Sequence, residues 1–399
     1  MTAKTTFDPF SPDAGTHQGG ALDGRALLQG AYGTAVLGYD LASKVLRDKR
    51  FQNSSLRLME EFGITSGPIH DFRARSIIMQ EGDPHLRLRM PLARFMSPVT
   101  VKKTRDVLRR IVESINADLD DSAPVDFYGG VTQRIPSLVY CHLAGAPASD
   151  APQVQSLSER TLSLLTRDRS MTPVIVEAYD ELFAYLADLV ARKRAEGLGD
   201  DMLSYLIQLG DEGKLTEQEV LVEATSMLEA SSVNTAHQLG LVVWTLLRNR
   251  EAWQRIVVDP TLIPAAVVEC LRLFPRTGVV SKIAVEDVEM EGTVIPEGSD
   301  VHVAVWSANR DPEKFERPDE FDLDRERNQP LTFSTGSHNC LGQGLAKAEM
   351  EEVVRHLAEH YPDARVVEDA TRIDQAGGRW LIDKLTVDLK SSGGQANDR

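Results

Sequence analysis

The 399-residue chain carries three cysteines, Cys141, Cys270 and Cys340, and the last has neighbours suited to chemistry. Phe333, Gly336, His338, Cys340 and Gly342 lie in the run F-S-T-G-S-H-N-C-L-G, a loop that leads into a helical stretch. Glycines on both sides of the thiol permit tight turns and close approach of a flat partner to the backbone. A cysteine just before a helix N-terminus has its thiolate favoured by the helix dipole and by free N–H groups. The same N–H groups can donate to the sulfur and tune a metal bound there. The competing reading is an inert cysteine in a Gly-rich turn, since free Cys is among the most buried residue types.

The spacing F-x-x-G-x-x-x-C-x-G resembles the heme-binding signature of the cytochrome P-450 superfamily. The resemblance implies heme b, with Cys340 as the thiolate ligand of iron, His338 at a heme propionate, and Phe333, Gly336 and Gly342 forming the cofactor loop. His85 and Arg89, in H-L-R-L-R, match the family's H-x-x-x-R and are implied as further propionate ligands. Without the other motifs they read as a solvated i,i+4 pair. An Arg that also meets a propionate in the family aligns with Lys282, which keeps the charge but loses the bidentate fork.

Glu269 and Arg272 resemble the family's E-x-x-R, a buried structural pair that braces the heme-side loops. Such i,i+3 pairs are ordinary helix chemistry, and a second one stands at Glu352 and Arg355. Position separates them, because only the first lies on a helix followed by β-rich sequence. The family's third partner, an Arg, is either Arg317 or Arg325. The resemblance spans nearly the whole chain, about 33–390.

One stretch departs from the family pattern. Most members carry an acid followed by an alcohol on the long helix over the heme, to relay protons to bound dioxygen. Here the stretch is Ala230-Ser231-Ser232-Val233-Asn234-Thr235. One register puts Val233 at the acid and Asn234 at the alcohol; the other puts Asn234 at the acid and Thr235 at the alcohol. The first is preferred because Ala230 then falls on the family's Ala/Gly. In neither is there a carboxylate, and Asn can hydrogen-bond but not titrate. Ser231 and Ser232 can bond the preceding turn's carbonyls and hold a water. Glu229 shares a helix face with Ser226 and Val233. It either bonds a neighbouring helix or serves as a pocket acid that binds a donor group of substrate or delivers protons. Asn234, Thr235, Glu229 and Ser232 are therefore the candidate catalytic residues.

These residues need elements to hold them. Thr216 and Glu219 form a capping box for a helix expected over 217–250, which has no Pro and one Gly, Gly240. It would run about 50 Å at 1.5 Å per residue. Other helices are expected over 85–119 with a break at Ser97-Pro98, over 133–143, 173–197, 263–273 and 341–360. Residues 33–40 read as strand and turn, with Asp40 capping the next helix. Residues 51–80 read as a long loop. Short β-rich runs fill 279–306 and 384–389. The fold class is α-rich α+β: one catalytic domain over 21–390, a flexible arm over 1–20 and a disordered tail over 391–399.

Lys and Arg number 44 against 60 Asp and Glu, a net charge of −16. That argues against a nucleic-acid partner, which needs a clustered basic surface. Three cysteines exclude a disulfide framework and fit a reducing compartment. No segment reaches the length of a transmembrane helix, and 1–20 lacks the pattern of a secretory signal. A monomeric cytoplasmic protein is expected. Gly342-Gln343-Gly344 lacks the third glycine of a dinucleotide fingerprint, Lys347 standing there. The resemblance then implies electrons from a separate ferredoxin and ferredoxin reductase, docking near Lys102, Lys103, Arg109, Arg110 and Lys347. The resemblance implies a monooxygenase that hydroxylates or oxidatively couples a small natural-product molecule. The alternatives are a peroxide-driven or non-oxygenating heme-thiolate enzyme and a heme-binding sensor without turnover.

Overall fold

The computed structural model describes residues 8–10, 26–30, 32–326 and 329–390. The expected tail and most of the expected arm lie outside the described residues. The part of the arm that is described is packed: the Phe10 ring meets His302 at 4.8 Å, and the Arg167 guanidinium sits 4.2 Å from its centroid.

The chain enters through the hairpin β1 (Leu27–Gly30) and β2 (Gly33–Val36), then α1 (Tyr39–Arg47) and β3 (Phe51–Asn53). Short helices α2 (Ser55–Glu61) and α3 (Pro68–Arg75) lead to α4 (Gly82–Phe95) and α5 (Pro98–Ala117). After β4 (Val125–Asp126) come α6 (Arg134–Ala144), α7 (Ala151–Leu162), α8 (Thr172–Glu196) and α9 (Met202–Asp211). Helices α10 (Glu217–Ser231), α11 (Val233–Arg248), α12 (Arg250–Val258) and α13 (Ile263–Leu273) follow. The late β region holds β5 (Val279–Ala284), β6 (Val288–Met290), β7 (Thr293–Ile295) and β8 (Asp300–Ala304), and ends on α14 (Val305–Ala308). Helix α15 (Gln343–His360) precedes β9 (Arg365–Val366), β10 (Arg372–Ala376), β11 (Arg379–Lys384) and β12 (Thr386–Asp388). The α-rich α+β expectation holds.

The largest sheet runs β1-β2-β8-β5-β3, with β2 and β8 parallel and the other pairs antiparallel. Two apolar cores carry the helical part. One joins α5, α6, α11, α12, α13 and α15 through Leu108, Ile135, Leu246, Trp253, Val267 and Val353. The other joins α3 and α4 to α6–α10 through Phe72, Leu88, Tyr140, Leu157, Leu186 and Leu228. Each such side chain contributes about 1.5–3 kcal/mol on burial.

Three expectations need correction. Residues 51–80 are not a loop but hold β3, α2 and α3. Helix α3 starts at Pro68 after Gly67 at φ +88° and buries Ile69, Phe72 and Arg73. It is too short, and too mixed with charge, for a period to show. Asp40 does not cap α1; it sits in the first turn, and Asp311 accepts from the Tyr39 N–H at 2.7 Å from across the chain. The helix over 217–250 is not continuous. The capping box forms as expected, but the helix breaks at Ser232, with φ −90° and ψ −68°. Thr225, Ser226 and Ser231 donate their hydroxyls to the carbonyls of Leu221, Val222 and Leu228, and such back-bonding weakens and bends the ladder. Ser232 instead accepts from the Ser137 hydroxyl at 3.3 Å.

Gly240 lets another element reach α11. A Cβ there would lie 2.4 Å from Ile382 Cδ1 on β11. The hairpin is pinned at the same place by the Ile382 N–H, which donates to His237 Nδ1 at 3.1 Å.

Candidate active site

Cys340 ends the loop before α15. Its backbone N–H donates to the Phe333 carbonyl at 2.9 Å, and Gly336, at φ +76°, turns the chain tightly against α1. The Gly336 position has no room for a side chain, because a Cβ would sit 3.1 Å from the Leu46 carbonyl oxygen and the Arg47 Cα. Cys340 is exposed as a residue, yet protein crowds its sulfur. Burial raises the thiol pKa, while the N–H groups of Gly342 and Gln343 and the nearby Arg89 work in the other direction. That donor set holds a thiolate once a cation balances it.

Beside the loop the chain gathers cations. His85 and Arg89 stand one turn apart on α4. The His85 ring lies 4.3 Å from that of His338. Lys282 reaches the cluster from β5, where it pairs with Val301 and Asn53 and is buried. Arg89 donates to the Asn339 carbonyl and Oδ1, both at 2.6 Å. Glu81 lies 3.0 Å from His338 Nε2. Burial, then His338, Arg89 and Lys282, push His85 down to about 4; burial, Lys282 and Arg89 do the same to His338. Both imidazoles are thus held neutral, and the positive charges of Arg89 and Lys282 beside them favour an anion.

His85 Nε2 is buried without a partner among the described residues. A thiolate position flanked by four basic side chains, with an orphaned imidazole nitrogen among them, fits heme and its two propionates. Cys340, His338, His85, Arg89 and Lys282 thus come together as their types require, with Phe333, Gly336 and Gly342 shaping the loop. Glu81 had no signal in the sequence.

The brace forms as well. Both carboxylate oxygens of Glu269 accept from Arg272 at 2.8 Å, and Arg272 also donates to the carbonyls of Asn309, Pro318 and Glu320. The third partner is Arg325, whose Nε lies 3.0 Å from Glu269 Oε1; Arg317 pairs with Glu320 and Asp322 instead. Burial alone would raise the Glu269 carboxyl, but Arg272, the Asp322 N–H and Arg325 hold it below its ordinary value.

On α10 and α11 the candidates part company. Ala230 is exposed, and Ser231, Asn234 and Thr235 are half-buried, in an otherwise buried segment. Their spacing makes one accessible helix face. Asn234 Oδ1 is itself buried and has no partner among the described residues. Glu229 is buried and engaged: Arg73 of α3 donates to it at 2.5 Å, and so does the Tyr179 hydroxyl of α8. Burial lowers the Arg73 pKa, but Glu229 and Tyr179 outweigh that and raise it. Of the two readings of Glu229, the bond to neighbouring helices is the one this geometry carries.

The cytochrome P450 family model matches residues 256–362. Luteothin monooxygenase of Streptomyces thioluteus is 31% identical over 340 residues, which is 84% of this chain and 83% of that protein. Pentalenic acid synthase of Streptomyces avermitilis is 32% identical over 378 residues, 92% of this chain and 89% of that one. Among solved structures, CalO2 superposes with a TM-score of 0.88 at 24% identity, covering 98% of this chain and all of that one, a likeness of fold. No helix of the described residues is long and apolar enough to cross a membrane. On these likenesses the chain belongs to the cytochrome P450 family and is a heme-thiolate oxidoreductase of the bacterial monooxygenase type.

Proposed function

We propose that this enzyme activates dioxygen, with electrons from a separate ferredoxin and its reductase, to hydroxylate or oxidatively couple a small natural-product molecule. Bound through Cys340, heme supplies the oxygen-activating chemistry. The observation that carries the reading is the accessible face of Ala230, Ser231, Asn234 and Thr235 in the middle of a buried helix pair. Beneath that face the buried Asn234 Oδ1 is left to accept a hydrogen bond from an internal water, and Thr235 supplies a half-buried hydroxyl on it, while Ser232 is buried against Ser137. Val233, at the acid position of the preferred register, carries no proton. Protons therefore travel by ordered water oriented by Asn234 and Thr235. Glu229 acts as a positioning residue, tying α10 to α3 and α8 above that face. The names of luteothin monooxygenase and pentalenic acid synthase support a natural-product substrate.

Electrons enter from the Cys340 side. Lys102, Lys103 and Arg110 are exposed on α5, which packs on α15, and Lys347 stacks over Phe333 at 5.6 Å. Arg109 is partly neutralised by Asp106 and Glu352. The exposed cations form a docking point for an acidic donor on a chain of net charge −16. The working protein is a cytoplasmic monomer formed by one catalytic domain.

The missing acid favours a second reading, a peroxide-driven enzyme. One experiment separates the two. The purified holoprotein should give a reduced CO band near 450 nm, lost in Cys340→Ser, and should turn over with ferredoxin, reductase and NADPH. Turnover with hydrogen peroxide alone would overturn the electron-supply reading. A 450 nm band without turnover under either condition would leave a sensor.

A further inference from the structure

A cavity of about 150 Å³ lies between the C-terminal end of α7, helix α11 and the turn of the β10–β11 hairpin. Val233 and His237 of α11 form one wall, and Leu162 and Leu165 another. Two arginines complete it, Arg276 just after α13 and Arg379 at the hairpin turn. An empty space of this size accommodates one aromatic ring.

The arginines are what make the cavity unusual. Arg276 is 5% exposed, and its Nε and Nη1 have no hydrogen-bond partner among the described residues. Arg379 Nε has none either; its Nη1 donates to the Gly377 carbonyl at 2.8 Å. Burial and then Arg379 lower the Arg276 pKa to about 9, so the two guanidiniums sense each other. Burial and then Arg167 lower that of Arg379 to about 10. The carboxylate that lines the same cavity, Glu159, accepts instead from Gln133 at 2.5 Å and Gln155 at 3.1 Å. His237 is engaged by Tyr128 at 3.2 Å and by the Ile382 N–H. Like charges with idle donors, one buried and one half-buried, are costly unless an anion joins them. Forked donors of this kind match a carboxylate in two directions at once.

We infer that this cavity binds the carboxylate of an acidic organic substrate between Arg276 and Arg379. The inference rests on the reading that α11 faces the substrate. Val233 and Asn234 are consecutive, the first in the cavity wall and the second on the accessible face. A molecule anchored by its acid group at the arginines therefore lies along α11 with its remainder toward Asn234. Leu162 at the end of α7 and Leu165 just after it contact its apolar body, and the arginines select its charge.

The test is calorimetric titration of the holoprotein in low-chloride buffer with benzoate, benzamide and chloride. Benzoate should bind at least tenfold more tightly than benzamide, and tighter than chloride by a similar factor. Arg276→Gln and Arg379→Gln should each weaken benzoate by tenfold or more and leave benzamide unchanged, with Arg276→Lys between. Equal binding of benzoate and benzamide overturns the proposal, as do Gln variants that bind benzoate like the parent. Chloride binding as tight as benzoate shows a simple ion site and overturns it too. If Arg276→Gln does not fold, the benzoate-to-benzamide ratio and Arg379→Gln decide the matter. The reduced CO band, recorded on the same samples, reports the heme-thiolate reading separately: its absence with benzoate selectivity intact sinks that reading alone.

Discussion

Arg272 and Arg276 are one helical turn apart in sequence and are both buried, yet they live in opposite regimes. Arg272 uses its guanidinium on Glu269 and on three backbone carbonyls. Arg276 has an idle Nε and Nη1 and another arginine for company. The same contrast separates two buried glutamates. Glu269 is held ionised by Arg272 and Arg325, whereas burial pushes Glu349 up to about 8, with its Oε2 unpartnered. Where a buried charge is fully met by the protein, it serves the architecture. Where it is left unmet on a cavity wall, the missing partner comes from outside.

The sharpest way to break this comparison is to remove one side of the satisfied set. Arg272→Met leaves the buried Glu269 carboxylate only Arg325 and the Asp322 N–H, strips three backbone carbonyls of their donor, and should cost about 3–5 kcal/mol, so that little holoprotein is recovered and the 450 nm band is weak. Recovery of holoprotein at parental yield and melting temperature would show that the brace is dispensable. Glu229→Gln, which leaves Arg73 buried with a neutral partner, should cost somewhat less, about 2–3 kcal/mol. It should also loosen the α3–α8–α10 contact, read as faster amide exchange in α3. Arg276→Met should go the other way. With no ligand present the holoprotein should melt at the same temperature or higher, by an amount on the order of 1 kcal/mol.

Glu349 gives a pH signature. Its folded pKa, about 8, stands above the ordinary 4.5. Its contribution is therefore fully present below the ordinary value and is lost as pH rises through about 8. Melting temperature should fall from pH 6 to pH 9, and the fall should be shallower in Glu349→Gln. An identical slope in the variant would place the alkaline loss elsewhere. The smallest effect belongs to the look-alike pair. Arg355 lies 3.9 Å from a Glu352 that Arg105 already engages at 3.0 Å. Arg355→Ala should cost less than about 0.5 kcal/mol in a denaturant midpoint.

The parts of the site legible in the sequence are those carried by short strings. The loop around Cys340, His85 and Arg89 one turn apart, and the E-x-x-R pair each fit within a single turn or loop, where spacing alone sets geometry. The parts that were not legible join elements far apart in the chain. Arg73 meets Glu229 across 156 residues, and α3 is too short to announce itself. Arg276 and Arg379 look like any surface arginines until the turn of β10 and β11 folds back. The break at Ser232 was also hidden, because the absence of Pro suggested continuity while serine back-bonding undid it. Asp40 looked like a cap by local rule, but the fold supplied Asp311 instead. Nothing in the pattern distinguished Arg325 from Arg317 until the chain after Asn309 wrapped round Glu269.

The absent side chain at Gly240 has a consequence for the order of events during folding. It is where β11 seats on α11, and the hydrogen bond between Ile382 and His237 at that seat spans 145 residues. Contacts of that separation close late, after the local helical ones have formed. During synthesis the hairpin also emerges after the Cys340 loop and α15 are already made. The arginine cavity is thus completed last, by a C-terminal segment latching onto a nearly finished body. A chain truncated before 372 would lose one whole wall of the cavity, with Ala376, Arg379 and Leu381.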